Sequence, residues 1–448
     1  MTKLYIVHCV DTEGPMFESV EATFSRLKNI FGLTLDPTQD NLRRLQHGEI
    51  KLGGLESAVA NLVAPKRLDM NKNWHEIEEM LLRLNTAQFR FALTGDDQRP
   101  WVFSWFCLDH VGFTGENPRN RTLGDHQIYD RYRNYVNAGE FCDTVQWHYH
   151  PLPATGNVND SGVAYLTSNN VWEVLSKKII QRNWFPAAYR PGFHTIRPDS
   201  HWFLEQWIPF DYGNQSSAVD DTDQPDLADG RYGDWRRAPN NWDIYHPHHD
   251  NYQIPGNCRR WIARCMNVEA RLRQLTDMDI ESAFARASDG RDTILAMTNH
   301  DFRDMHAETL PVIDRIKRVM QRHPEIEVIP TDAVSAMRQT LGLETSQLEL
   351  KCNLDRKTPN QLKLTVTCVG NLFGTQPYLA IELEGSRYLW ENFDQQEDWL
   401  WTFVFDNNHI PADKVTAIGV AANSASGHTT VANIRLVEDA WHYHYYDK

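Results

Sequence analysis

Short apolar runs alternate with amphipathic stretches through roughly the first 340 residues of the chain. Leu4–Val10, Phe89–Leu93, Val102–Leu108, Thr144–His148, Ala187–Arg190, Thr293–Thr298 and Glu327–Ile329 read as strands. Between them, Val171–Gln181 and Leu310–Arg322 carry apolar residues at helical spacing, and Glu18–Phe31 places Val20, Phe24, Leu27 and Phe31 on one helical stripe. Strands that alternate with helices predict a parallel sheet or barrel. Residues 16–88 read as a helical insertion after the first strand. Residues 212–257, rich in Asp, Asn, Pro, Gly, Trp and His, read as a long irregular loop.

The pattern changes near Leu343. Leu348, Leu350, Cys352 and Leu354 alternate with polar residues, as do Leu362, Leu364, Val366 and Cys368, and then Leu379, Ile381 and Leu383. With Trp399–Phe405, Val415–Ala421 and Val431–Leu436, this predicts a β-sandwich of six or seven strands. The expected organisation is an α/β barrel over 1–342 followed by an all-β sandwich over 343–448. Exposed rings at Trp390 or Trp401 would favour glycan binding by the sandwich.

Charge and composition narrow the partners. The formal net charge of −15 argues against nucleic acid and against an anionic membrane surface. Seven cysteines, odd in number and without a CxxC pair, suit a reduced compartment better than a disulfide framework. No apolar run approaches the ~20 residues of a membrane span, and no signal peptide is recognised, so a cytoplasmic protein without a transmembrane segment is expected. The 15 Trp and 16 Tyr are mostly core, although aromatic faces also grip sugars. A homo-oligomer is compatible with all of this.

Candidate chemistry lies where two of the strands end. Residues i and i+2 of a strand share a face, so Asp11 with Glu13, and His148 with His150, can each converge on one point. Ligands at strand ends are what an α/β barrel presents at its catalytic face. Two imidazoles with a carboxylate, and a second carboxylate nearby, are the donor set of a hydrolytic divalent metal.

The order Asp11-Thr12-Glu13-Gly14, His148-Tyr149-His150-Pro151, Tyr189-Arg190-Pro191-Gly192 and Thr298-Asn299-His300 resembles the polysaccharide deacetylase (NodB-homology) superfamily of carbohydrate esterases, with branches of surface-polysaccharide biosynthesis as the nearest likeness. The resemblance covers roughly residues 1–340. It implies an incomplete (β/α) barrel that removes N- or O-acetyl groups from a carbohydrate, using a divalent metal, zinc first and cobalt, nickel or iron otherwise. It implies Asp11 as general base, Glu13, His148 and His150 as metal ligands, Arg190 as the group that orients Asp11, and His300 as general acid. Tyr189 and Trp235 are the expected substrate-binding aromatics, and Asp211 or Asp234 is expected to orient His300.

Two features depart from the family pattern. Thr12 separates acids that are usually adjacent, and the histidines lie two apart rather than four. His194, His306 or the trio His246, His248 and His249 could therefore replace one ligand. Two other readings stay open: a metal-free glycosidase-like barrel working with two carboxylates, and a carbohydrate-binding protein that has lost its metal.

Overall fold

The computed structural model describes residues 1–94, 99–110, 117–158, 160–162, 164–218, 232–345 and 347–447. Its first part is a barrel of parallel strands: β1 (Thr2–Thr12), β2 (Phe103–His110), β3 (Thr144–His150), β4 (Ala188–Pro191), β5 (Phe210–Asn214), β8 (Trp261–Asn267) and β9 (Thr293–His300). A hairpin, β6 (Pro247–His248) and β7 (Asn251–Pro255), lies between β5 and β8. The expected incomplete barrel is in fact closed. β9 pairs with β1 from Leu4↔Thr293 to Asp11↔His300, which leaves no open edge between the first and last barrel strands. A further strand, β10 (Ile326–Pro330), pairs with the start of β1, and β2 takes the same edge of β1 from His8 onward.

β1 is apolar almost throughout because both its faces are covered, as is usual in parallel sheets. Tyr5, Val7 and Cys9 join the cluster inside the barrel, with Phe106, Ala188, Tyr212 and Ala296. Leu4, Ile6 and Val10 pack in the cluster that also holds the helices. This alternation sends Asp11 and Glu13 inward at the top of β1.

The helices are α1 (Val20–Phe31), α2 (Gln39–Gln46), α3 (Glu56–Leu62), α4 (Pro65–Leu68), α5 (Trp74–Leu84), α6 (Ala87–Arg90), α7 (Gln127–Ala138), α8 (Asn170–Arg182), α9 (Pro198–Trp207), α10 (Asp277–Ser288), α11 (Met305–Met320) and α12 (Ala333–Thr340). The insertion after β1 is helical as expected, and its first three helices form a small core of their own around Phe24, Leu27, Leu42, Leu45, Val59 and Leu62. Phe89–Leu93, expected as a strand, is instead the end of α6 and a turn. Thr86 caps that helix by accepting from the Phe89 amide, and Phe89 and Leu93 both point into the core. The stretch 212–257 is also more ordered than expected: its start belongs to β5 and it contains the β6–β7 hairpin, while 219–231 lies outside the described residues. No described helix is long and apolar enough to cross a membrane.

The β-rich part carries β11 (Glu349–Thr358), β12 (Gln361–Val369), β13 (Tyr378–Leu383), β14 (Arg387–Glu391), β15 (Asp394–Glu397), β16 (Leu400–Phe405), β17 (Val415–Asn423), β18 (Thr429–Val437) and β19 (Ala440–Asp447). They form two antiparallel sheets, β11-β12-β16-β15 and β14-β13-β17-β18-β19. The inner strands of the second sheet, β13, β17 and most of β18, are buried on both faces. Leu379, Ile381, Ile418 and Val420 fill the space between the sheets, whereas Tyr378, Ala380, Ala417 and Ala421 join the barrel's helical layer. Small residues on that outer face let α8 approach closely. Gly419 is the tightest point, since a Cβ there would lie 2.4 Å from Ile179 Cγ2. Asn423 Nδ2 donates to the carbonyls of Pro186 (2.7 Å) and Trp207 (2.9 Å), joining the two parts by hydrogen bonds. Neither ring expected to mark a glycan site is free: Trp401 is buried, and Trp390 stacks on Trp172 at 4.0 Å.

Gly419→Val forces a branched side chain into α8 and is expected to destabilise the fold by about 1–3 kcal/mol, read as a lowered thermal midpoint. An unchanged midpoint would show that the sheet and α8 do not pack as described.

Candidate metal centre

Strand register assembles the site at the C-terminal mouth of the barrel, the face on which barrels of this kind place their chemistry. Asp11 of β1 is the register partner of His300 of β9, and His148 of β3 that of Arg190 of β4. Among the described residues, Glu13, His148 and His150 bring three ligand atoms within 4.8 Å of one another, all buried. The strand spacing of the two histidines is therefore workable: Gln146, His148 and His150 share the inward face, and the intervening Trp147 and Tyr149 pack outward.

Two of the three, His148 and Glu13, are held by a further partner. His148 Nδ1 donates to the Arg190 carbonyl at 2.9 Å, which leaves its Nε2 bare and pointing at His150 Nε2, 3.0 Å away. Burial, followed by the charge of neighbouring His148, holds His150 well below 6.5, so it is a neutral imidazole. The His150 Nδ1 atom is buried and has no hydrogen-bond partner among the described residues. Glu13 has one oxygen on Arg121, a buried ion pair, while its other oxygen lies 3.9 Å from His150 Nε2 and 3.8 Å from His300 Nε2. Burial raises the Glu13 carboxyl, but Arg121 with the surrounding histidines outweighs it, and Glu13 is ionised. One free carboxylate oxygen and two converging imidazole nitrogens fit a divalent cation of the zinc class.

Asp11 lies beneath this set. Arg190 donates to it through Nε (2.6 Å to Oδ1) and Nη2 (3.0 Å to Oδ2), and its Nη1 donates to the Tyr212 carbonyl at 2.6 Å. Burial favours the protonated acid, yet Arg190, His148 and His300 together hold the Asp11 carboxyl far below its usual range. His300 Nε2 is 4.0 Å from Asp11 Oδ2, and its ring is the more exposed of the site histidines. Burial, opposed by Glu13 and Asp11, lowers His300 to about 4, so it too is neutral at pH 7.

Of the proposed substitutes only His194 is at the site. Its Nδ1 lies 3.3 Å from Arg190 Nη2 and it lines the cavity. His306 packs on Phe89, His246 on Trp261, and His249 pairs with Asp250. Tyr189 is not a substrate-binding residue in this structure. Strand alternation turns it outward while Arg190 turns inward, and its buried hydroxyl meets Tyr165. Trp235 is equally buried, and its indole donates to the His194 carbonyl at 2.7 Å, so it supports the site from behind. Asp211 is bound to Arg260 and the Gly213 amide, and Asp234 to Arg236; neither orients His300.

Three features escaped the reading of the sequence. Arg121 is 108 residues from Glu13. Asp301 accepts from the Glu13 and Gly14 amides and from the Tyr132 hydroxyl, which fixes the turn after β1; burial raises it to about 7. Gly192 allows β4 to pass His150, because a Cβ there would lie 2.6 Å from the imidazole. The next residues, Phe193 and His194, both hold φ of 53° although neither is glycine. Such left-handed conformations cost about 1–3 kcal/mol each and cluster at functional sites. Here they place the Phe193 ring against His150 and His194 against Arg190.

No protein-family model and no curated protein matches the chain. Among solved structures it is similar to β-glucosidase 3B from Thermotoga neapolitana in complex with α-D-glucose, with 10% identity over 93% of this chain and a TM-score of 0.15. The chain spans 61% of that enzyme's length. A likeness that low carries no argument about fold or function.

Zinc added to the metal-free protein is expected to bind at about one ion per chain, and His148→Ala and His150→Ala should each abolish it. Because His150 is already a neutral imidazole, metal loss on acidification should involve fewer protons than at a site with two ordinary histidines. Mass-spectrometric metal analysis across pH checks both. A metal content unchanged in either variant would remove that histidine from the ligand set.

Proposed function

We propose that this protein is a divalent-metal-dependent hydrolase that removes an N- or O-acetyl group from a carbohydrate. The observation that carries the reading is the buried Glu13, His148 and His150 set lying beside an ionised, arginine-clamped Asp11 and a cavity-facing His300. The motif order that resembles the polysaccharide deacetylases supports the acyl and sugar parts of the proposal.

Glu13, His148 and His150 would hold a divalent ion, which would supply Lewis-acid polarisation of an acyl carbonyl and make water acidic enough to react near neutral pH. Asp11 is the acceptor for the proton that water gives up when its oxygen attacks the acyl carbon. It stays ionised across the working pH range because Arg190 holds both its oxygens. Arg190 thereby fixes the direction of the Asp11 lone pairs. His300 Nε2, within 4.0 Å of Asp11 Oδ2, starts neutral, takes that proton, and delivers it to the nitrogen or oxygen that leaves as the acyl bond breaks. Phe193 and Phe302, on either side of the histidines, keep the cavity partly apolar, which strengthens these electrostatic interactions.

A metal-free glycosidase is the second reading. It needs one carboxyl that stays protonated near neutrality. Asp301 has that property, but it is buried under the Glu13–Gly14 turn with its oxygens taken by two amides and a phenol. The two cavity carboxylates beside the histidines, Asp11 and Glu13, are each paired with an arginine and ionised.

Acetate release from N-acetyl and O-acetyl amino sugars tests the proposal. Chelation should abolish it and zinc restore it, and Asp11→Asn or His300→Ala should lower kcat by about 10²–10⁴-fold with zinc still bound. Release that survives chelation, or glycosidic cleavage without metal, would overturn the reading in favour of the second.

A further inference from the structure

The cavity above Glu13, His148 and His150, about 340 Å³, falls within the size range of small-molecule sites. Its walls run against the charge of the chain. The protein carries a formal −15, yet Arg26, Arg67, Arg119, Arg121, Arg271 and Arg303 all line this cavity, against the carboxylates Asp11, Glu13, Glu18 and Asp160.

Most of those carboxylates are already compensated. Asp11 is held by Arg190 from below, Glu13 by Arg121, and Glu18 by both Arg26 (2.8 Å) and Arg119 (2.5 Å). Positive charge remains at Arg67 and Arg303, which line the cavity with Arg271 and are offset only in part by Glu269 and Glu308. Arg67 is buried with its hydrogen bonds going to neutral acceptors, Asn61 Oδ1 at 3.1 Å and the Ala270 carbonyl at 2.8 Å. Arg303 donates to the Lys66 carbonyl and meets Glu308 at 4.0 Å. The guanidinium groups also act on one another: burial first, then Arg303 and Arg271, bring Arg67 down to about 10. Gathering like charges in a half-closed cavity is unfavourable unless an anion joins them. Guanidinium forks match the oxygens of carboxylate and phosphate in paired hydrogen bonds.

We propose that the substrate is an anionic saccharide, whose carboxylate or phosphate oxygens are held by Arg67 and Arg303 with Arg271 beside them, while its acyl group reaches the His148–His150 end of the same cavity. Arg67 comes from the insertion and Arg271 and Arg303 from the loops after β8 and β9, so the insertion completes the anion site. This rests on the hydrolase reading for the acyl group only; the anion site stands on the arginines.

The purely structural alternative is that these side chains only tie α4 to the barrel loops, since Arg67 and Arg303 bridge to Ala270 and Lys66. Calorimetric titration with inorganic phosphate, glucuronate and glucose 1-phosphate separates the two, with glucose as the neutral control. It is run on both zinc-loaded and metal-free full-length protein, so that coordination by zinc cannot account for the binding. The expected result is that at least one of the anions binds both forms, glucose binds far more weakly, and added salt weakens the anion. The tighter of glucuronate and glucose 1-phosphate identifies the group. Arg303→Gln and Arg67→Gln should each lower anion affinity at least tenfold while zinc still binds, and Arg303→Lys should retain most of it. No anion binding, or binding unchanged in both glutamine variants with their circular dichroism intact, would overturn the proposal. Zinc content measured on the same samples keeps that failure distinct from a failure of the metal site.

Discussion

The buried pair between Asp11 and Arg190 organises the centre of this molecule. It links β1 to β4 across the inside of the barrel, and the same guanidinium reaches the Tyr212 carbonyl on β5 and His194 beyond β4. A buried ion pair is costly to desolvate and is favourable only when its remaining polar atoms are satisfied. Here they are satisfied by backbone and imidazole, so the pair acts as a fixed strut. The Arg190 carbonyl extends that order to the ligands by accepting from His148 Nδ1. One residue thus sets both the ionisation of the acid and the tautomer of a neighbouring imidazole.

A second arginine plays the matching part for Glu13. Arg121 takes one carboxylate oxygen and leaves the other toward the histidines. Without it, a carboxylate this deep would tend to protonate, because burial favours the neutral acid. Asp301 completes the arrangement by holding the amides of Glu13 and Gly14, so that the acid is fixed through its backbone as well as its side chain. Two arginines and a buried carboxyl therefore position two acids.

Much of this was legible in the sequence because strand alternation is a local rule. From Asp11-x-Glu13 and His148-x-His150 alone, both pairs could be placed on inward faces, and the register of β1 with β9 then brings His300 to Asp11. The same rule explains the misplacement of Tyr189. Its neighbour Arg190 points inward, so Tyr189 must point outward, and its place in a motif next to a site residue says nothing about access to the cavity. Arg121, Asp301 and the arginines of the cavity were not legible. Arg121 meets Glu13 across 108 residues, Asp301 meets the Glu13 amide across 288, and Arg67 meets the Ala270 carbonyl across 203, and no local periodicity encodes such pairings. β5 and β8 were missed for a related reason. Phe210-Asp211-Tyr212-Gly213-Asn214 has no long apolar run, because Asp211 is spent on Arg260 and Gly213 passes within contact of Pro191. The incomplete barrel was expected from the family resemblance, and the long pairing of β1 with β9 closes it instead.

The insertion and the β-rich part act on opposite sides of this arrangement. The sandwich sheet with Ala380, Ala417 and Gly419 buries the outer face of α8, whose Lys178 reaches Asp109 on β2 in a fully buried pair at 2.9 Å. That pair braces the strand next to β3 from outside, on the side away from the cavity, and a barrel wall held there has little freedom to shift its histidines. The insertion instead contributes Arg26 and Arg67 to the cavity rim and has its own small core. The arginines of the insertion are thus carried on a separately packed element, while Asp11, Glu13, His148 and His150 sit on or just after strands locked from behind. A change in the insertion would reshape the cavity wall without disturbing the register that brings Asp11, His148 and His300 together.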